Sequence, residues 1–235
     1  MINYNVFANA KKRFPKSQTP FLNRLYDAAN DASSLSGVKI LQNIPFTIEA
    51  AIKIESLLLR GADVTMTAAT CLPPQEEAFK MLKAANVKVE LDHSCCENEY
   101  DIYLDCGAEL YKQRPPKLGT VELTQSGTEI YKKFPFEHIV VSVDDSDLKY
   151  LETFFGTGDG FVRALKSQQG ATMYNEKFVV FGYGKVGRGI VHALLKYTDD
   201  VVIVEPDPIA RKAARKKGVK VLDVDSIEEI TKHTS

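Results

Sequence analysis

The stretch KFVVFGYGKVGRGIVHALL, residues 177–195, decides the fold of the C-terminal part of the chain. Phe178 to Phe181 form a short apolar run of strand type, and a G-x-G-x-x-G turn follows at Gly182, Gly184 and Gly187. A helical apolar pattern starts at once, which is the context that gives the turn meaning. Gly182 permits a tight turn, Gly184 has no Cβ to block a pyrophosphate, and Gly187 lets the helix pack closely on the strand. The phosphates would sit on amides at the positive end of that helix. Tyr183, Lys185 and Val186, interleaved with the glycines, complete the expected cofactor contacts.

Downstream, Val201–Val204 reads as a second strand and ends in Glu205, 18 residues beyond Gly187. A carboxylate there can accept both ribose hydroxyls of an adenosine half, and it repels the extra phosphate of NADP, so NAD is the expected cofactor. ATP and S-adenosylmethionine can use a similar turn, and Glu205 fits them too. Asp207-Pro208 supplies an N-cap followed by proline at the first helical position. The helix runs to Lys217, Gly218 ends it, Val219–Leu222 gives a third strand, and Ser226–Lys232 a last short helix. The pattern is one βαβαβ half of a Rossmann fold.

Working upstream, short β-branched runs alternate with amphipathic stretches, which implies an α/β protein with a mostly parallel sheet. After a polar lead-in, the spacing predicts helices over 19–34, 46–60, 75–85 and about 126–133. Strands are expected at 38–41, 64–67, 87–91, 102–105, 120–124 and 139–143, with Asp92–Glu99 as an exposed polar loop. Leu148–Gln168 is helical in spacing, and Gly156, Gly158 and Gly160 mark a bend or helix junction within it. The polar segment after Ser167 places a boundary between an N-terminal α/β domain, 1–172, and the half Rossmann domain, 173–235.

Composition narrows the function. Of 235 residues, 44% are hydrophobic and 26% charged, ordinary values for a globular protein with a real core. Thirty basic against 31 acidic residues give a net charge of −1, which argues against nucleic acid as a partner. No run approaches the roughly 20 apolar residues that cross a bilayer, and the polar N-terminus has no signal-peptide core. A cytoplasmic protein with no membrane partner is expected. Cys71, Cys95, Cys96 and Cys106 show no C-x-x-C spacing and suggest reduced thiols. Adjacent cysteines rarely both ligate one zinc, so His93-Ser94-Cys95-Cys96 is not expected to hold a metal.

Several co-linear segments resemble one family. Val179–Gly189 resembles the A-G-Y-G-D-V-G-K-G turn of S-adenosylhomocysteine hydrolase (adenosylhomocysteinase), and Val204-Glu205-Pro206-Asp207-Pro208 its T-E-x-D-P segment. Val143-Asp144-Asp145-Ser146, with Lys149 following, resembles V-N-D-S-x-x-K. Thr47-Ile48-Glu49 through Ile54-Glu55-Ser56-Leu57 resembles the helix at that family's adenosine pocket, and Leu104-Asp105-Cys106-Gly107 resembles L-D-D-G. The resemblance covers nearly all of 37–227. It implies an NAD-dependent redox detour in which the adenosine 3′-hydroxyl is oxidised, homocysteine is eliminated and water added, and the ketone is reduced again. By resemblance Lys149 assists the 3′-oxidation, Glu122 is a carboxylate of the same pocket, and Thr47 and Glu49 contact the substrate's adenosine.

The chain also departs from that pattern. Pro45 stands where the family has a histidine, Cys106 replaces the second aspartate of L-D-D-G, Glu152-Thr153 replaces an aspartate-asparagine pair, and Thr157-Gly158-Asp159 replaces cysteine-arginine-glutamate. Only one half of the dinucleotide fold is expected, which leaves a sheet edge for a neighbouring subunit, hence a homo-oligomer, or for the first domain. Three readings follow: an NAD-binding homologue that does not hydrolyse S-adenosylhomocysteine by itself; an active enzyme on that or a related nucleoside thioether; and a regulatory NAD-sensing module. All three have a nucleotide or nucleoside as the partner.

Overall fold

The computed structural model describes residues 1–28, 34–133, 138–169, 173–174 and 176–234. These fall into two compact units, Met1–Asp144 and Asp145–Ser235.

In the first unit, the expected alternation of strands and helices builds a six-stranded sheet in which every pairing is parallel. Its strands are β1 (Lys39–Ile44), β2 (Asp63–Ala68), β3 (Lys88–Val89), β4 (Ile102–Asp105), β5 (Gly119–Glu122) and β6 (Ile139–Ser142), in the order β3-β2-β1-β4-β5-β6. The central strands are covered on both faces, as parallel sheets require. Successive side chains of β1 divide the core. Ile40 joins Ile52, Met66 and Leu82 on one face, whereas Leu41 joins Cys95, Tyr103 and Leu110 on the other.

Three readings of the sequence are corrected here. The polar lead-in contains a helix, α1 (Tyr4–Lys11), which sends Phe7 fully into the core. Phe7 is the one residue of this helix that is fully buried, and Asn5 and Asn9 interrupt its apolar pattern. After α2 (Pro20–Ala28), the single helix expected over 46–60 is two, α3 (Ile48–Lys53) and α4 (Glu55–Leu59), broken at Ile54. The segment 92–99 is exposed at Asp92, Ser94 and Glu97–Glu99 as expected, but Ser94–Glu97 form a 3₁₀ turn that buries Cys95 and Cys96 completely or nearly so. The expected helices at 75–85 and 126–133 are α5 (Glu76–Ala84) and α6 (Gln125–Lys133).

The second unit begins with α7 (Asp147–Leu151), one π-helical turn (Glu152–Gly156) and α8 (Thr157–Gln169). The glycines of 156–160 thus mark a helix junction. A three-stranded parallel sheet follows, β7 (Phe178–Phe181), β8 (Val201–Val204) and β9 (Lys220–Leu222), in the order β7-β8-β9. Helix α9 (Lys185–Leu194) connects the first two strands and α10 (Pro208–Lys216) the last two, and α11 (Ile227–Thr234) reaches back to β7. The division at Asp144/Asp145 differs from the boundary read at 172/173, because α8 packs along α9. That contact is backbone-close: a Cβ on Gly158 would lie 2.4 Å from the carbonyl oxygen of Gly189, and one on Gly189 would lie 2.0 Å from that of Phe154.

Glycine here acts through space rather than conformation, so substitution separates the cases. Gly189→Ala is expected to cost about 2–4 kcal/mol, the scale of forced overpacking or worse. Gly160→Ala, whose Cβ would meet nothing within 4 Å, should be neutral or stabilise by up to about 1 kcal/mol. Urea unfolding checks both, and equal effects would disprove the close helix contact.

Candidate functional site

The turn between β7 and α9 is built as its glycines predict, but they do different things. Gly182 has φ +91°, in the left-handed region that a side chain resists, and its N–H donates to the Val204 carbonyl at 2.8 Å. Gly187 is forced by packing, since a Cβ there would fall 2.1 Å from the Gly182 carbonyl oxygen. Gly184 is needed by neither. It is the N-cap of α9 with φ −72° and ψ −164°, a backbone any residue adopts, and a Cβ there would meet nothing within 4 Å. The fold leaves open space in front of Gly184, with no side-chain cap on the helix. The first-turn amides of Val186 and Gly187 have no intrahelical acceptor.

Glu205 closes one side of this turn. Its side chain is almost wholly buried at the tip of β8; one carboxylate oxygen accepts from the Tyr183 N–H and the other from the Asp207 N–H at 2.8 Å. The carboxylate is therefore directed at the turn, and each oxygen keeps a second lone pair for a further donor. Tyr183 is buried, and burial raises its phenol above the ordinary range. The Arg188 Nε donates to the Tyr183 carbonyl at 3.0 Å. Lys185 is half-buried and Val186 exposed at the helix start. Lys149 is in the same unit, on α7, where its Nζ lies 3.4 Å from Glu152 Oε2.

The other predicted residues belong to the first unit. Thr47 caps α3, its Oγ1 accepting from the Ala50 N–H at 3.3 Å, and Glu49 is exposed on the first turn of that helix. Glu122 is fully buried and committed to the loops: Oε1 accepts from the N–H groups of Gly107 and Thr124 and from the Thr124 hydroxyl at 2.7–2.9 Å, and Oε2 from the Ala108 N–H at 3.0 Å. Beside it, burial pushes the Cys106 thiol up to about 12, with Cys71 adding to the effect, so the thiol stays neutral at ordinary pH.

Sequence reasoning missed a polar cluster at the carboxyl ends of β1, β2 and β4. Asn43, wholly buried, donates through Nδ2 to Asp105 Oδ1 at 3.0 Å and Glu109 Oε2 at 3.2 Å. Asp105 also accepts from the Leu110 N–H at 3.1 Å and the Tyr131 hydroxyl at 3.0 Å, and its burial raises the carboxyl above its usual range despite those donors. His93 Nε2 lies 3.1 Å from both Asn43 Oδ1 and the Ala68 carbonyl oxygen. The available signal was Gln42-Asn43 inside an otherwise apolar strand run. Among the described residues, no group of three or more His, Cys, Asp or Glu side chains converges on a metal position, and no helix is long and apolar enough to cross a membrane.

Residues 178–232 match the TrkA-N domain, an NAD(P)-binding domain, so the cofactor expected from the turn is the one this domain class takes. Over 91% of the chain, the sequence is 25% identical to S-inosyl-L-homocysteine hydrolase of Methanosarcina acetivorans. It is 28% identical to adenosylhomocysteinase of Thermococcus kodakarensis over 87% of the chain. The chain spans 58% and 55% of the lengths of these two relatives. The A chain of dipicolinate synthase from Bacillus subtilis overlays with a TM-score of 0.49 at 13% identity, covering 86% of this chain and 72% of that one. In sequence, the chain is a diverged homologue of proteins named S-inosyl-L-homocysteine hydrolase and adenosylhomocysteinase, and it carries a TrkA-N domain in its second unit.

Proposed function

We propose that this chain binds NAD through the turn at 182–187 and a nucleoside through its first unit, and that it does not by itself hydrolyse S-adenosylhomocysteine. The observation that carries the cofactor half is the open space at Gly184, which packing and backbone conformation leave unexplained. In this reading Gly184, Val186 and Gly187 present backbone to the diphosphate, and Tyr183 and Lys185 flank it. Glu205 uses its remaining lone pairs on the ribose diol and disfavours a 2′-phosphate. NAD when bound supplies a hydride acceptor for a secondary alcohol. Lys149, on α7, is the candidate for proton handling beside that alcohol. Thr47 and Glu49 are the candidates for contacts to the nucleoside. Glu122, saturated by four donors, holds the loops of the first unit rather than exchanging a proton.

The reading of no independent hydrolysis rests on lost acid–base groups. Pro45 carries no titratable group, and Cys106 is a buried neutral thiol where a carboxylate is expected. A second reading, an active enzyme on S-adenosylhomocysteine or its inosyl counterpart, is favoured by similarity that runs through both units. The outer edge of β7 has no strand partner among the described residues. We assign that edge to a second copy, making a homo-oligomer.

Four measurements check this. Gly184→Val should fold with at most about 1 kcal/mol loss of stability, the scale of a changed N-cap. The same variant should bind NAD at least ~100-fold more weakly by calorimetry, equivalent to about 2.7 kcal/mol; undiminished affinity would place the cofactor elsewhere. Incubation with NAD, adenosine or inosine, and homocysteine should yield no thioether, and steady turnover by the purified chain would establish the second reading instead. Sedimentation velocity should show a dimer or larger species, and a monomer throughout a wide concentration range removes the oligomer.

A further inference from the structure

The strand order of the first unit, β3-β2-β1-β4-β5-β6, reverses between β1 and β4. In open parallel sheets, ligands lie outside the carboxyl ends of the strands at that reversal. The residues found there are Asn43 near the end of β1 and Asp105 at the end of β4, with Glu109 and His93 packed onto them.

The hydrogen bonds at this point settle which ring atom of His93 carries a proton. Both partners of Asn43 Nδ2 are carboxylate oxygens. A flipped amide would set its oxygen against two acceptors, so Oδ1 must face His93. His93 Nε2 then faces two acceptors, Asn43 Oδ1 and the Ala68 carbonyl oxygen, and has to be the donor. In the neutral ring the lone pair is left on Nδ1, which has no hydrogen-bond partner among the described residues. The side chain keeps 23% of its surface exposed. The backbone of His93 is left-handed, φ +61° and ψ 8°, a conformation that non-glycine residues adopt at a cost and that clusters at functional positions. The anchor is the following turn: Asp92 Oδ1 accepts from the Ser94 N–H at 3.1 Å, and Cys95 and Cys96 are sunk in the core.

We propose that His93 Nδ1 is the proton-accepting group of the first unit's ligand site, taking a hydrogen bond from a hydroxyl or ring N–H of a bound nucleoside. If the proton transfers, the ligand's O–H or N–H bond breaks, an Nδ1–H bond forms, and the imidazolium charge is met by Glu109, whose Oε2 lies 4.0 Å from Nε2. Asn43 passes no proton; it is a positioning residue that fixes the ring by linking it to Asp105. Pro45, two residues beyond Asn43, offers no such group. This inference rests on the nucleoside reading of the first unit.

The test is ¹⁵N–¹H spectroscopy of the imidazole groups in the whole chain, with His93→Asn to assign the signal, followed by titration with adenosine and with inosine. Asparagine tolerates the left-handed backbone. The neutral His93 ring should be the Nε2–H tautomer, and either nucleoside should shift its Nδ1 resonance. In His93→Asn, nucleoside affinity should fall ~10-fold or more while NAD affinity is unchanged. Finding the Nδ1–H tautomer overturns the inference. So does a nucleoside that saturates the wild-type chain without moving the His93 signal, and the nucleoside reading then survives. If neither nucleoside binds the wild-type chain while NAD does, that reading falls and this inference with it. Should His93→Asn not fold, the variants His138→Gln, His192→Gln and His233→Gln assign the His93 signal by elimination, and the tautomer and the nucleoside titration then decide.

Discussion

Buried carboxylates at the carboxyl ends of parallel strands organise this molecule. A parallel sheet delivers the loops that follow its strands to one end, where backbone amides have left the strand ladder and need acceptors. Glu205 takes the amides of Tyr183 and Asp207, Glu122 takes those of Gly107, Ala108 and Thr124, and Asp105 takes those of Cys106 and Leu110. Burying a charge is costly unless donors surround it, and each of these carboxylates has at least two backbone donors. The dependence is mutual, because removing one carboxylate would strand several buried amides at a cost of about 1–3 kcal/mol each. Gly127 shows how tightly the arrangement is drawn: a Cβ there would lie 2.3 Å from the carboxyl carbon of Glu122.

The parts of this fold legible in sequence are those governed by period and punctuation. Strands β1, β2, β4 and β8 are apolar or β-branched runs, Asp207 caps α10 through two backbone amides as its place before Pro208 implies, and Gly218 takes φ +78° where the helix must end. What escaped is held by contacts between distant segments. Helix α1 is short and interrupted by Asn5 and Asn9, and it is held by the buried Phe7, by the half-buried Val6 and Ala10 packed beside it, and by a bond from the Asn3 N–H to the Ala85 carbonyl. Cys95 and Cys96 look like loop residues because charged neighbours surround them in sequence, although the chain folds them beneath Tyr100 and Tyr103. His93 is unreadable for the same reason, since its partners are 50 and 25 residues away.

The candidate cofactor turn shows why a motif is only partly readable. G-x-G-x-x-G names three glycines, but a sequence cannot say which are there for the protein and which for a ligand. The structure separates them: Gly182 answers to backbone conformation, Gly187 to the Gly182 carbonyl, and Gly184 to neither. A turn used only as a connection would need the first and third.

The same comparison bears on what the first unit can hold. Its first crossover also leads from a strand end into a helix, α3, whose early amides would form an anion site if open. They are closed: Thr47 Oγ1 accepts from the Ala50 N–H and Gln75 Oε1 from the Ile48 N–H at 3.1 Å. Around this strand end stand Asp105, Glu109 and Glu122, with no basic side chain hydrogen-bonded to any of them among the contacts described. This strand end is therefore less suited to a phosphate than the helix start at Gly184, in keeping with the nucleoside proposed for the first unit. One local difference separates the two crossovers, a helix start left bare beside Gly184 and one capped by Thr47.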